Sequence, residues 1–481
     1  MTASTNTSQH SSAPVDKLGG HLGTGHLFFT VLAYNAPLAV SVAFLQVIVA
    51  FGNGEGAPVS ILIIGALLGL FSVGFLAMSK RLSRPGGFYA FITAGLGRPV
   101  GLGSSFAALI SYYFMLIANY AFGGLALHSL VTDTFHGPDI PWWIWMVALQ
   151  IAVSVFGYLR LDMSAKILAV LLVGEVIMVL VFDIFVTGRG GAEGLSGEPF
   201  SAQAFLSGSV GLGLMYATNC FGGFEATAIF REEVRDPDRT IPRATFLAVG
   251  FVAVLYAITV WAYIQSYGST NVVAAATADP SGSFLASLES YAGRVSVDIV
   301  TVLLNTSVFA GALSAHNITS RYVYNLSRDG IFPSLLAKVH PRHGSPSLAS
   351  LVVSLVAFVG LTSIFLVGAD PLTLYAILLG IYAYTLAILL LVTGVAVLVY
   401  LWRHPEETNI WQRLIAPGIS TLGLAAVAYL STVNFTALIS NSAELGNVVL
   451  FGFFALIGCG VVLALVFRRY RPSIYSKIGR Q

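Results

Sequence analysis

The chain has 481 residues, of which 56% are apolar and 10% charged, with a net charge of +2; its mean hydropathy is +0.82. A water-soluble protein of this length needs far more charge to cover its surface, so the composition excludes one and implies a polytopic, all-α membrane protein with lipid around it. Its two cysteines, Cys220 and Cys459, both sit in apolar runs, which excludes a disulfide framework or a cysteine metal site.

Residues 1–22, rich in Ser and Thr, read as a disordered tail, with no short apolar core and cleavage site to make them a signal. Twelve apolar stretches follow, each near the roughly 20 residues a membrane span needs: 28–51, 58–79, 101–131, 141–159, 163–187, 208–230, 245–268, 296–321, 347–367, 373–402, 414–436 and 446–467. With the N-terminus in the cytoplasm, every Lys and Arg except Arg189 and Arg294 falls on the inner side. This is a strong positive-inside bias, and it places both termini in the cytoplasm of a cell-membrane protein.

Span 1 reads FFTVLAYNAPLAVSVAF, with Tyr34, Asn35, Ala36 and Pro37 in its middle. Pro37 has no amide proton for the carbonyl of Ala33, so the helix is expected to break there. Five spans later, NCFGGFEATAIF places Gly222 and Gly223 in the middle of span 6. Each Gly costs about 1 kcal/mol relative to Ala in a helix interior. Broken backbone at membrane depth is tolerated only against protein or a watery cavity. Breaks in corresponding spans are the mark of an inverted five-plus-five repeat with a substrate site at the midplane.

The segment after span 6, REEVRDPDRTIPRAT, carries Glu232, Glu233, Asp236, Pro237, Arg239, Ile241 and Pro242. Together with the Gly pair it resembles the signature of the amino acid–polyamine–organocation permeases. RPGGFYAF after span 2 (Pro85, Gly86, Gly87, Tyr89) and SRYVYNLSRDGIFP at the exit of span 8 (Ser320, Arg321, Arg328, Asp329, Gly330, Pro333) are similar to two further family segments. The resemblance covers essentially the whole chain. It implies a leucine-transporter-type fold: a transport core over 23–404, two appended spans over 405–468 and an inner tail over 469–481. It implies secondary transport of amino acids or related amines, with no cofactor and no nucleic-acid partner. It also implies substrate contacts at the two breaks, from Tyr34, Asn35, Ala36, Pro37, Phe221, Gly222, Gly223 and Glu225. The family's span 1 break is commonly Gly-Ser-Gly; here Asn35-Ala36-Pro37 stands in its place and supplies one amide fewer to a substrate carboxylate.

Glu175 lies in the middle of KILAVLLVGEVIMVLVFD, where a carboxylate costs roughly 3 kcal/mol on insertion scales and should face the bundle interior. Many proton-coupled relatives carry a Lys there, which makes Glu175 the expected proton-coupling group; a structural carboxyl bonded across helices is the alternative. Glu225 either pairs with a substrate amine or caps the second half-helix. Phe221 is either an aromatic closing over substrate or plain packing. His316, with Ser314 and Asn317, either joins a proton relay with Glu175 or satisfies an interhelical hydrogen bond. Hydroxyls on span 8 leave sodium open as an alternative coupling ion. Asp183 reads as interfacial. The sequence lacks the long central loop of a major-facilitator carrier, an HExxH-type catalytic motif and the soluble domain of a sensor. An amino acid symporter is therefore expected, with a polyamine permease or an exchanger as alternatives.

Overall fold

The computed structural model describes residues 23–82, 87–159, 165–224, 234–340, 345–366, 371–406, 408–438 and 443–479. The tail at 1–22 lies outside them, as do Pro85, Gly86, Glu225, Glu232 and Glu233.

Among the described residues every regular element is a helix, with no extended strand. Span 1 is α1 (Thr24–Asn35), α2 (Pro37–Ala43) and α3 (Leu45–Phe51); α4 (Ala57–Ser79) is span 2. A short helix, α5 (Gly87–Leu96), then leads into α6 (Arg98–Ser129), α7 (Trp142–Leu159) and α8 (Ala165–Gly188). Next come α9 (Val210–Asn219), α10 (Pro237–Tyr267), two outer helices α11 (Val272–Ala278) and α12 (Ser283–Ala292), and α13 (Arg294–Arg328). The chain ends with α14 (Ser347–Leu366), α15 (Pro371–Arg403), α16 (Ala416–Val433), α17 (Ala443–Tyr470) and α18 (Pro472–Tyr475).

Ten helical stretches among the described residues are long and apolar enough to cross a membrane. Of the other two expected spans, the sixth is described only through α9 and the turn to Phe224, and the ninth is α14. Span 7 begins a full two turns before the expected residue 245, because the Asp236-Pro237 signature itself starts α10. Proline's fixed φ and missing amide suit the first helical position, where that amide has no partner to lose. Pro37 opens α2 in the same way, and Pro58, Pro99 and Pro417 take the second position of α4, α6 and α16.

α1 packs on α10, α10 on α4 and α4 on α9, while α6, α7, α13 and α14 form a second group. α8 touches both groups, and so does α15. The outward faces of α8, α14 and α17 carry exposed Val170, Ile184, Leu355, Val359, Val448 and Phe451. Apolar faces of that extent are stable only against lipid.

Candidate substrate and coupling site at the helix breaks

The span 1 break is local and sharp. Ala36 takes φ 52° and ψ 71°, the left-handed region, so α1 ends at Asn35 and α2 begins at Pro37. Its own amide closes back on Leu32 O at 3.1 Å, and its carbonyl accepts from Val40 N, the first bond of α2. Pro37 has no proton, so Leu38 N is the first α2 amide in need of a partner.

That partner is Glu175. One carboxyl oxygen, Oε2, accepts from Leu38 N at 3.3 Å and from Ser307 Oγ of α13 at 3.1 Å. The side chain is buried. A carboxylate on span 5 thus caps the positive end of a half-helix in span 1 and joins it to span 8.

At the second break α9 stops at Asn219, the chain turns through Cys220 and Phe221, and Gly223 takes φ 93°. A residue with a Cβ is strained in that conformation, and Gly is not. Asn35 clasps this turn: its Nδ2 donates to Cys220 O at 2.7 Å and to Gly222 O at 3.3 Å, while Tyr256 Oη of α10 donates to its Oδ1. The structure therefore brings Asn35, Ala36, Pro37, Gly222, Gly223 and Glu175 together. Phe221 is buried with its ring against Gly65 of α4, where an added Cβ would lie 3.2 Å from Cζ. Tyr34 occupies the last turn of α1, and its side chain is outside the described residues, as is Glu225.

The end of α3 also meets the start of α9. Gly52 after α3 and Gly213 of α9 cross so closely that a Cβ on Gly52 would stand 2.7 Å from the Gly213 Cα. Asn53 donates to Phe205 O at 3.1 Å and accepts from Ser60 Oγ at 3.0 Å, and Ser209 N donates to Gly52 O at 2.9 Å.

Beside α2 lies a small cavity lined by Ala39, Ala43 and Phe44, by Met115, Asn119 and Phe122 of α6, and by Tyr375 of α15. Tyr375 stacks on Phe122 with ring centroids 5.2 Å apart, and its hydroxyl donates to Ala43 O at 3.3 Å. Phe122 also lines a larger outer cavity of about 480 Å³ with Asp133, Asp279 and Glu289, so it stands between the two. Phe122 and Tyr375 escaped sequence reasoning, since an aromatic in an apolar span carries no mark of facing a cavity.

A family profile described as amino acid permease matches residues 26–474. The chain belongs to the amino acid permease family. The low-affinity putrescine importer PlaP of Escherichia coli (strain K12) is 25% identical over 61% of this chain and 65% of its own length. The Asc-type amino acid transporter 1 of Mus musculus is 25% identical over 71% and 63%, and an uncharacterized transporter of Mycobacterium tuberculosis (strain ATCC 25618 / H37Rv) is 27% identical over 64% and 66%. The matches span just under two thirds of these relatives' length.

Elsewhere in the permease, His316 is fully buried, with Nε2 2.8 Å from Ser350 Oγ of α14 and its ring against Gly157 of α7. Nine residues separate it from Ser307, about 13 Å along α13 and half a revolution around it. It is therefore not brought to Glu175. Asp183, expected at the interface, is instead buried, because α8 turns it toward Thr259 of α10 at 3.1 Å.

The other two family segments meet beside the end of α13. Tyr89 of α5 donates to Asp329 Oδ2 at 3.0 Å and accepts from Gly479 N at 2.8 Å. Burial pushes the Asp329 carboxyl above its ordinary value, against the bonds from Tyr89 and Gly479 and the nearby Arg328 and Lys477.

Proposed function

We propose that this permease is a secondary active carrier that takes up amino acids by proton symport. Its twelve spans would form a five-plus-five inverted repeat with two appended helices, with the substrate held between the breaks of spans 1 and 6. The observation that supports this most is Glu175. As an anion it accepts two bonds on one oxygen, and charge-assisted bonds are roughly twice as strong as neutral ones. A proton on that carboxyl weakens the grip on α2 and on Ser307 together. Proton binding is then linked to the contact between span 1 and the helices that face it, which is what coupling requires. The carbonyls of Cys220 and Gly222 each keep a lone pair for a substrate amine beside Asn35.

A second reading, an amine carrier, is favoured by the same contact. Pro37 has no amide and Leu38 N is already held by Glu175, so a substrate carboxylate finds few donors at α2. Putrescine, the substrate named for the Escherichia coli relative, has amines and no carboxylate.

Purified permease in liposomes, offered labelled neutral amino acids and putrescine with and without an inward proton gradient, separates these readings. Amino acid accumulation supports the first and putrescine alone the second. Uptake of either that ignores the gradient removes the proton from the mechanism.

A further inference from the structure

Glu175 has a counterpart eight residues further along the same helix. Asp183 lies about 12 Å outward on α8 at 1.5 Å per residue and is only 5% exposed. Its Oδ2 is 3.1 Å from Thr259 Oγ1, and its Oδ1 has no hydrogen-bond partner among the described residues. The neighbouring Phe182 meets Phe284 of α12 with ring centroids 4.4 Å apart and the rings tilted by 43°.

The contact with Thr259 differs in kind from the one that Glu175 makes with Leu38 N. Thr259 Oγ1 is also 2.9 Å from the Leu255 carbonyl. A hydroxyl has one hydrogen and two lone pairs. With Asp183 ionised, the Thr259 hydrogen points at the carboxylate. With Asp183 neutral, that hydrogen turns to the Leu255 carbonyl, and the hydroxyl oxygen accepts the acid's proton. Both protonation states are satisfied by the same atom positions. Glu175 faces the Leu38 N–H, a donor that cannot reverse, so gain of a proton there changes the packing.

We propose that Asp183 is a second proton-carrying group of the transport cycle, loaded from the outer side, an inference that rests on the proton-coupled reading above. One proton from outside adds to a carboxylate oxygen to give the neutral acid, and the same proton leaves when the cycle returns. The titratable groups on the elements packed against α8 are Tyr256, Tyr263 and Tyr267 toward the end of α10, Glu289 and Tyr291 on α12, Arg294 and Asp298 at the start of α13, and His26 and Tyr34 on α1; the opposite ends of α10 and α13 add Asp238, Arg239 and Arg243, and His316, Arg321, Tyr322, Tyr324 and Arg328. α2 brings none, and α8 itself adds Lys166 and Glu175. Arg294 is bonded to Asp298 at 3.0 Å, so the outer start of α13 supplies a paired charge.

The test is uptake into liposomes by the full chain, with L-alanine or putrescine as probe, whichever the wild type accumulates. In Asp183→Asn the ratio of proton-driven to exchange flux should fall by roughly tenfold across a one-unit pH gradient, and Asp183→Glu should restore it. Thr259→Val should move the pH midpoint of uptake by about half a unit or more, whereas Thr259→Ser should leave it in place. An unchanged flux ratio in Asp183→Asn overturns the proposal. So does an unmoved midpoint in Thr259→Val, which also decides the matter if Asp183→Asn does not fold. A wild type whose uptake ignores the proton gradient instead sinks the coupled reading itself, a result seen before any variant is made.

Discussion

Replacing Glu175 by Gln keeps the length of the side chain and one oxygen acceptor but removes the charge. The bonds at risk are those from Leu38 N at 3.3 Å and Ser307 Oγ at 3.1 Å. Hydrogen bonds to charged groups contribute about 1.5–3 kcal/mol and neutral ones about 0.5–1.5. The pair therefore weakens by about 2–3 kcal/mol at most, reduced by the cost of burying a charge that Gln no longer incurs. Free energies of that size shift an equilibrium between docked and undocked α2 by about 30- to 150-fold. The transport consequence is separate and sharper. One proton moved per substrate across a one-unit pH gradient supplies about 1.4 kcal/mol, enough for tenfold accumulation. Gln binds no proton, so liposomes containing Glu175→Gln should accumulate about tenfold less substrate than the wild type under that gradient, while exchange of labelled for unlabelled substrate persists. A variant that concentrates substrate as far as the wild type does would refute the assignment.

Asn35→Ala removes the clasp between the breaks and leaves Tyr256 Oη and the Cys220 carbonyl without their bonds; at about 1–3 kcal/mol for a buried orphaned group, thermal unfolding of the purified protein should shift down and the substrate KM should rise. Gly223→Ala places a Cβ at φ 93°, a strain of about 1–3 kcal/mol, and should lower the maximal flux more than it changes KM. The Asp329 carboxyl is raised by burial from 3.8, so the folded inner clasp binds more protons than the unfolded chain. Its contribution to stability is full below that ordinary value and is lost as pH rises through the raised folded value. Proteolysis of residues 471–479 should therefore speed up over that window, and Asp329→Asn, which cannot ionise, should flatten the dependence.

The membrane class, the break at Ala36-Pro37 and the family were legible because each is written in local chemistry: apolar runs, a missing amide, a Gly pair and an Asp-Pro signature. Glu175 was legible as a residue of interest because a carboxylate in hydrocarbon requires a reason. What it touches was not, since its partners come from spans 1 and 8, and no local pattern pairs position 175 with 38 or 307. Asn35 was read as a substrate contact by its place at the break, yet its side chain is spent on Cys220, Gly222 and Tyr256. Asp183 was misread because distance from the span's end says how deep a residue sits but not which way its helix faces. α5, α11 and α12 were missed because seven to ten residues of mixed character carry too little periodicity to separate a helix from a loop.

The clasps divide by charge in a way that bears on how the carrier moves. Asn35, the last residue of α1, is bound to the turn after α9, and Gly52 and Asn53 after α3 are bound to Ser209 and Phe205 just before α9, all through neutral groups. Neutral amides do not titrate, so proton uptake leaves that union intact, and the two broken spans should travel as one piece. Glu175 instead reaches across from α8 to α2 and on to α13, which places a titratable group where that piece meets its neighbours. A proton loaded there loosens the boundary between parts and leaves each part folded, and that placement distinguishes a switch from a weak point. Exchanging the two chemistries tests the idea directly: Asn35→Asp, a charge inside the moving piece, should add a pH dependence to stability, whereas Glu175→Gln should weaken the pH dependence of transport and leave that of stability nearly as it is in the wild type.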